Sequence, residues 1–159
     1  MRAGVRLGID VGKARVGVAR CDPHAMLATP VETVTRDLEG DSDLIRIVEI
    51  ATELGAMETI VGLPINMRGE RTLSTEDAVQ FAERLAEKLA ASGVSVRLVD
   101  ERLSTVSAQG QLRQAGKKTK QSRSIIDQAA AVVILQHALD TERSRGTAPG
   151  EAVGQNEGN

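Results

Sequence analysis

Aromatic residues are almost missing from this chain of 159 residues: Phe81 stands alone, with no Trp and no Tyr. Without rings there is no platform on which splayed single-stranded bases could stack, so any nucleic-acid partner must be gripped through its backbone. A single cysteine, Cys21, excludes an internal disulfide and agrees with a reducing compartment. It reads as a small buried filler rather than a nucleophile. Two histidines, His24 in the turn-like CDPHA and His137 late in a helical segment, make poor metal ligands. No apolar run reaches bilayer length, and the N-terminus lacks the basic, then apolar, then small-residue order of a secretory signal. The expected address is the cytoplasm, with no membrane partner. The formal net charge of -2 offers no general attraction to nucleic acid, so a local basic patch would have to supply it.

What is present is ordinary for a globular protein: 41% hydrophobic and 26% charged residues, in a length that fits one domain. VRLGID and RVGVAR are short apolar runs separated by a connection containing Gly12, as in a hairpin, and PVETVTR from Pro30 alternates as a third strand. Helical spacing then takes over at Leu44, Ile47, Val48, Ala51 and Leu54, after the capping candidates Asp41, Ser42 and Asp43 and before a stop at Gly55. ETIVGLP reads as a strand buried on both faces. The next helix carries an inward stripe of Ala78, Phe81, Ala82, Leu85 and Leu89, with Ser74 and Asp77 spaced as a capping box. VSVRLVDE is a further strand, STVSAQGQLRQAG a helix, and Ser124 to Leu139 an apolar helix. This order predicts an α/β fold: a mixed five-stranded sheet, with an antiparallel meander of three strands plus two parallel strands, flanked by helices. Residues 1–143 form the expected domain. The Gly-rich tail 144–159 is predicted to be disordered.

Acids fall at telling places. Asp10 ends the first strand, Asp100 and Glu101 close VSVRLVDE, and Asp127 sits in the apolar IIDQAAAVVIL. Side chains alternate across a strand, so only one of Asp100 and Glu101 can share a face with Asp10. Each acid also has an ordinary explanation. Asp10 could bond a hairpin turn, Glu101 could pair with Arg102, and Asp127 could form a capping box with Ser124, three residues earlier. Taken together, strand ends and a helix start can gather three carboxylates without a long loop. Such a set, with no histidine or cysteine, favours Mg²⁺ or Mn²⁺ over zinc.

Four ordered segments, RLGIDVGKARVGVA, IVGLPINMRGE, VDERLSTVSAQ and IDQAAAVVILQHAL, span nearly all of residues 5 to 140 and resemble the YqgF or RuvX family of ribonuclease-H-like proteins. The resemblance implies a ribonuclease-H-like fold and a hydrolase, a metal-dependent nuclease acting on phosphodiester bonds. Its favoured role is maturation of the 5′ end of pre-16S rRNA in ribosome biogenesis; the older proposal is Holliday junction resolution on branched DNA. Carried over by motif, the catalytic and metal-binding residues would be Asp10 in GIDVG, Glu101 in DERLST and Asp127 in IDQAAA. The better-known junction resolvases have an acid on the central strand and a second on the last helix. Here ETIVGLP ends without a carboxylate, and Ala130 follows Asp127 by three.

In a two-metal scheme one ion activates water and the other stabilises the leaving oxygen; Asp10 would bridge both, while Glu101 and Asp127 would each complete one. Gly12 and Gly17 would leave room for the phosphate, and Ala129, Ala130 and Ala131 would let the helix approach the sheet. Lys117, Lys118, Lys120 and Arg123 in KKTKQSRS form the expected nucleic-acid grip, with Arg68 and Arg71 on the opposite rim and Arg102 beside Glu101. Two other readings compete. DVGKARVG also resembles the first phosphate loop of actin and sugar-kinase folds, which need two such domains to enclose a nucleotide. A noncatalytic RNA-binding assembly factor would keep the fold without the chemistry. Pre-rRNA and branched DNA both fit as partners, as do monomer and homodimer.

Overall fold

The computed structural model describes residues 2–100 and 120–153, the side chains of 120–125 excepted. Strands β1 (Arg6–Val11) and β2 (Arg15–Cys21) form an antiparallel hairpin in which Asp10 lies opposite Gly17. Its turn is closed by the Gly12 N–H donating to the Arg15 carbonyl at 2.9 Å, so Gly12 serves the hairpin. Strand β3 (Ala28–Thr35) completes the meander with one irregularity: Val18 pairs with Glu32 while Ala19 pairs with Pro30, leaving Val31 as a bulge. The alternation read along PVETVTR therefore changes face at Val31.

Helix α1 (Ser42–Leu54) buries Leu44, Ile47, Ile50 and Ala51 and stops at Gly55, whose left-handed φ of 64° frees its N–H for the carbonyls of Ala51 and Thr52. Strand β4 (Glu58–Leu63) then runs parallel to β1 through the centre of the sheet. Helix α2 (Leu73–Leu89) buries the whole stripe expected of it, but its cap differs. Thr72 is the N-cap and exchanges bonds with Thr75, so the helix starts before Ser74 and Asp77 falls in its second turn. Asp77 instead accepts two bonds from Arg36, at 2.9 and 3.0 Å. Strand β5 (Ser95–Asp100) is parallel to β4. Helix α3 (Lys120–Arg145) is longer at both ends than its apolar core announced. The helix expected over STVSAQGQLRQAG lies outside the described residues.

Among the described residues the sheet has six strands rather than five, in the order β3-β2-β1-β4-β5-β6. The extra strand, β6 (Glu151–Val153), comes from the tail expected to lack structure and pairs antiparallel with β5. Two interactions outweigh its Gly-rich composition: Val153 is buried in the core, and Arg97 donates to the carbonyls of Pro149 and Gly150.

The sheet separates two apolar layers. Leu7, Ile9, Val16, Val18, Val61 and Leu98 meet α1 and α2 on one face, whereas Ala19, Cys21, Ile60 and Val99 meet α3 on the other. On the α3 face the sheet is built to be thin. A Cβ at Gly8 would lie 2.7 Å from both the Ala131 carbonyl oxygen and the Leu135 Cβ, and one at Gly17 would overlap the main-chain carbonyl of Asp127. Ala130 and Ala131, fully buried, complete the contact from the helix side. The far end of α3 is fastened electrostatically. Glu142 receives Arg2 at 2.8 Å and Arg6 at 3.3 Å, and Arg2 also reaches Glu58 at 2.9 Å, whose carboxylate accepts the Ser95 hydroxyl at 2.9 Å. Bonds from Arg2 hold the Glu142 carboxyl down at about 2, well below its usual 4.5.

Three substitutions, one of them a control away from the helix, test this packing. Gly17→Ala is expected to cost about 3 kcal/mol, the upper end for overpacking, because the obstacle is backbone. Gly55→Ala, where a Cβ meets nothing within 4 Å, costs about 1 kcal/mol through its left-handed φ alone; urea midpoints compare the two. Glu142→Gln removes one partner of a buried pair and should cost about 3 kcal/mol at pH 7. The stability supplied by ionised Glu142 is fully present above its unfolded value of 4.5 and is lost as pH falls toward about 2. Urea titrations from pH 7 to 2 should therefore show the variant and the wild type converging at the acid end.

Candidate active site

The site is built where β1 ends. Strand alternation puts Gly8 and Asp10 on the α3 face, and cross-strand register places Asp10 opposite Gly17 and Gly17 opposite Thr33. The main chain of Asp127 lies against Gly17, and Gln128 Nε2 donates to Thr33 Oγ1 at 2.9 Å. One residue without a side chain thus seats the helix across three strands and sets the Asp127 carboxylate beside Asp10. Gly17 makes room for α3 rather than for a phosphate.

The two carboxylates are in unequal circumstances. Asp127 Oδ2 accepts from Arg15 Nε at 2.7 Å. Asp10 is partly buried and, among the described residues, has neither an ion pair nor a hydrogen bond to its side chain. Burial first, and the negative charge of Asp127 second, push its carboxyl up from 3.8 to about 7. Two carboxylates placed together in this way could hold a cation, and their all-oxygen donors suit a hard one.

The other expected residues divide plainly. The capping explanation of Asp127 fails, because α3 begins at Lys120 and Asp127 lies within the helix. Val99 packs against α3, so Asp100, next in alternation, faces the other side of the sheet from Asp10. Glu101, Arg102, Lys117 and Lys118 lie outside the described residues, as do the side chains of Lys120 and Arg123. Arg68 and Arg71 sit in the loop after β4, at the sheet end where parallel β1 also finishes. That loop is a fixed turn: Asn66 Oδ1 accepts from the N–H groups of Arg68 and Glu70, and Ile65 bridges to Arg71. Arg71 is engaged by Glu76 at 2.8 Å, whereas Arg68 is exposed. Cys21 is structural: its buried sulfur accepts the Arg6 N–H at 3.2 Å, and burial pushes the thiol up. His24 and His137 are both exposed.

Two arginines were missed by the sequence reading. Arg15 precedes Gly17 by two residues on the same strand, so alternation alone places it on the Asp10 face. Arg36 buttresses the hairpin from the other side. It donates to the Gly12 carbonyl at 2.7 Å, pairs with Asp77, and lies over the Phe81 ring at 5.3 Å. No local motif marks Arg36, whose partners are distant in sequence.

Comparison with known proteins adds an independent line. A family model described as "RuvX: Holliday junction resolvase" matches residues 4–141. A protein of Clavibacter sepedonicus named "Putative pre-16S rRNA nuclease" is 56% identical over 156 residues, covering 98% of this chain and 95% of that one. A protein of Leifsonia xyli subsp. xyli with the same name is 58% identical over 154 residues, covering 96% of each. Among solved structures, T. thermophilus RuvC in complex with a Holliday junction substrate is similar with a TM-score of 0.61 at 16% identity, over 94% of this chain and 99% of that one. At that identity the likeness is one of fold, the ribonuclease-H-like arrangement.

The strain of holding Asp10 ionised is measurable. A carboxyl raised in the fold makes the protein lose stability as pH climbs from 3.8 toward about 7, because the unfolded chain releases the proton first. In metal-free buffer, Asp10→Asn should raise the thermal midpoint by about 5 °C at pH 8. The difference should vanish near pH 4, where wild-type Asp10 is neutral in the fold. Midpoints by circular dichroism across this range check it; a variant no more stable at pH 8 contradicts the assignment.

Proposed function

The chain belongs to the RuvX family and is a nuclease, and from that premise we propose that it hydrolyses phosphodiester bonds at the 5′ end of pre-16S rRNA with a hard divalent cation held by Asp10 and Asp127. The observation that carries the reading is the pair of adjacent carboxylates made by Gly17 seating α3, one of them with no partner of its own among the described residues. Glu101 is proposed as the third acid of the set. When bound, Mg²⁺ or Mn²⁺ supplies an activated water and charge neutralisation at the leaving oxygen, in a one-ion or two-ion arrangement.

The protein's own residues do the rest. Asp10 and Asp127 concentrate negative charge at the mouth of the sheet and so select a small cation over a neutral ligand. Arg68, on its fixed turn, offers a cation at the same end for a neighbouring phosphate. Lys117, Lys118, Lys120, Arg123 and Arg102 are proposed as further backbone contacts, which a chain of net charge -2 needs if it is to hold a polyanion. With Phe81 buried as the only aromatic ring, base stacking on aromatic side chains contributes nothing to that hold.

The test is side-by-side cleavage of precursor 16S rRNA and a four-way DNA junction, with Mg²⁺, with Mn²⁺ and with chelator. Cleavage of the RNA at its 5′ end, lost with chelator, is expected. Asp10→Asn and Asp127→Asn should each lower it by about a hundredfold or more, since an amide is a poor ligand for a hard dication. Preferential cleavage of the junction would transfer the assignment to branched DNA. Binding without cleavage of either substrate would make the protein an assembly factor.

A further inference from the structure

Arg15 is assigned no role by the family resemblance or by the substrate reading, yet it makes the ion pair at the centre of the site. Its Nε donates to Asp127 Oδ2 at 2.7 Å, and no other bond from its guanidinium is present among the described residues. Among the described residues both Nη groups are thus without a partner, on a side chain that is 34% exposed, while Asp127 is 18% exposed. A guanidinium carries five N–H donors in a rigid fork that fits a carboxylate or a phosphate through two parallel bonds. Held by one nitrogen alone, Arg15 uses its carboxylate partner poorly. It sits where β2 begins, beside the hairpin turn and on the same face as Asp10.

We infer that Arg15 guards Asp127: it occupies the carboxylate in the free protein and is drawn away by a phosphate of the incoming nucleic acid, so that substrate and divalent cation assist each other's binding. The inference rests on the reading that Asp127 is a cation ligand. Its physical basis is competition. A guanidinium and a dication in contact with the same carboxylate repel one another, so each binds at the other's expense. A phosphate matches the fork better than the one-nitrogen contact does, and it supplies the countercharge that Arg15 gives up on leaving Asp127. Linkage then requires the effect to be reciprocal: nucleic acid tightens the cation by the same factor as the cation tightens nucleic acid.

The experiment is calorimetric titration of the full chain with Mn²⁺, alone and with a saturating non-cleavable 2′-O-methyl RNA of the precursor 5′ sequence. It is run on the wild type and on the Arg15→Gln, Arg15→Lys and Asp127→Asn variants. Without RNA, Arg15→Gln should bind Mn²⁺ roughly two- to fivefold tighter than the wild type, the range of a half-exposed ion pair. Its RNA affinity in chelator should fall, and the gain in Mn²⁺ affinity on adding RNA should shrink by the factor already gained. Arg15→Lys keeps the charge and loses the fork: it should bind Mn²⁺ like the wild type and RNA more weakly, and it stands in should the Gln variant fail to fold. Unchanged or weaker Mn²⁺ binding by Arg15→Gln overturns the guard and makes Arg15 a positioning residue. Equal Mn²⁺ binding, or none, by the wild type and Asp127→Asn overturns the cation site itself, and the guard with it.

Discussion

The distance between helix α3 and the β1–β2 hairpin is the constraint on which the rest of the molecule turns. Helices usually lie on sheets with a layer of side chains between them. Here Gly8 and Gly17 on the strands and Ala130 and Ala131 on the helix remove that layer, and backbone meets backbone. The apolar contacts of Ile134, Leu135, Ala138 and Leu139 with Cys21, Ile60 and Val99 hold the helix down further along. Only a helix that close can carry a short acid such as aspartate to the end of β1. A longer reach would need glutamate, whose extra rotatable bond loosens whatever it holds.

Opposite electrostatic solutions occupy the two ends of α3. Toward its C-terminal end, Glu142 and Glu58 are buried but fully answered by Arg2, Arg6 and the Ser95 hydroxyl, and the result is a fastening. Toward its N-terminal end Arg15 answers Asp127 alone, and among the described residues Asp10 has no partner. The same residue types give a rivet in one place and, among the described residues, an unpaired carboxylate in the other. The difference lies in whether the count of opposite charges closes. The network around Glu142 lies at the far end of the same helix.

Much of this was legible in the chain. The strand meander, the helical stripe from Ala78 to Leu89, the doubly buried ETIVGLP and the Gly55 stop all follow local periodicity and turn chemistry, and each is found. Asp10 and Asp127 stood out because charge inside apolar runs is costly, a signal that needs no structure. Less legible were features whose cause is remote in sequence. The cap of α2 went to Thr72 because Thr75 is buried there and bonds the Pro64 carbonyl, a tertiary contact that a spacing rule cannot see. Arg36 finds Asp77 forty-one residues away. The Gly17 requirement came from the helix crossing it, although the hairpin alone gave an ordinary reason for a glycine. Strand β6 was hidden because three residues of a Gly-rich segment carry almost no pattern; a single buried side chain, Val153, and two bonds from Arg97 decide it.

That short strand has a bearing on how the protein behaves in a crowded solution. An open sheet offers two unpaired edges, each a template for another chain's backbone. One edge is covered where Glu151–Val153 lies along β5, reached by a sharp turn at Gly150, whose φ is 65°. At the other edge β3 carries Pro30, which has no N–H to offer, next to a bulge at Val31 that breaks the regular ladder. Both margins of the sheet are thereby blunted by backbone devices, independent of surface charge. A molecule of nearly balanced net charge, which cannot rely on mutual repulsion to stay apart, is thus protected against edge-to-edge polymerisation by the geometry of its outermost residues.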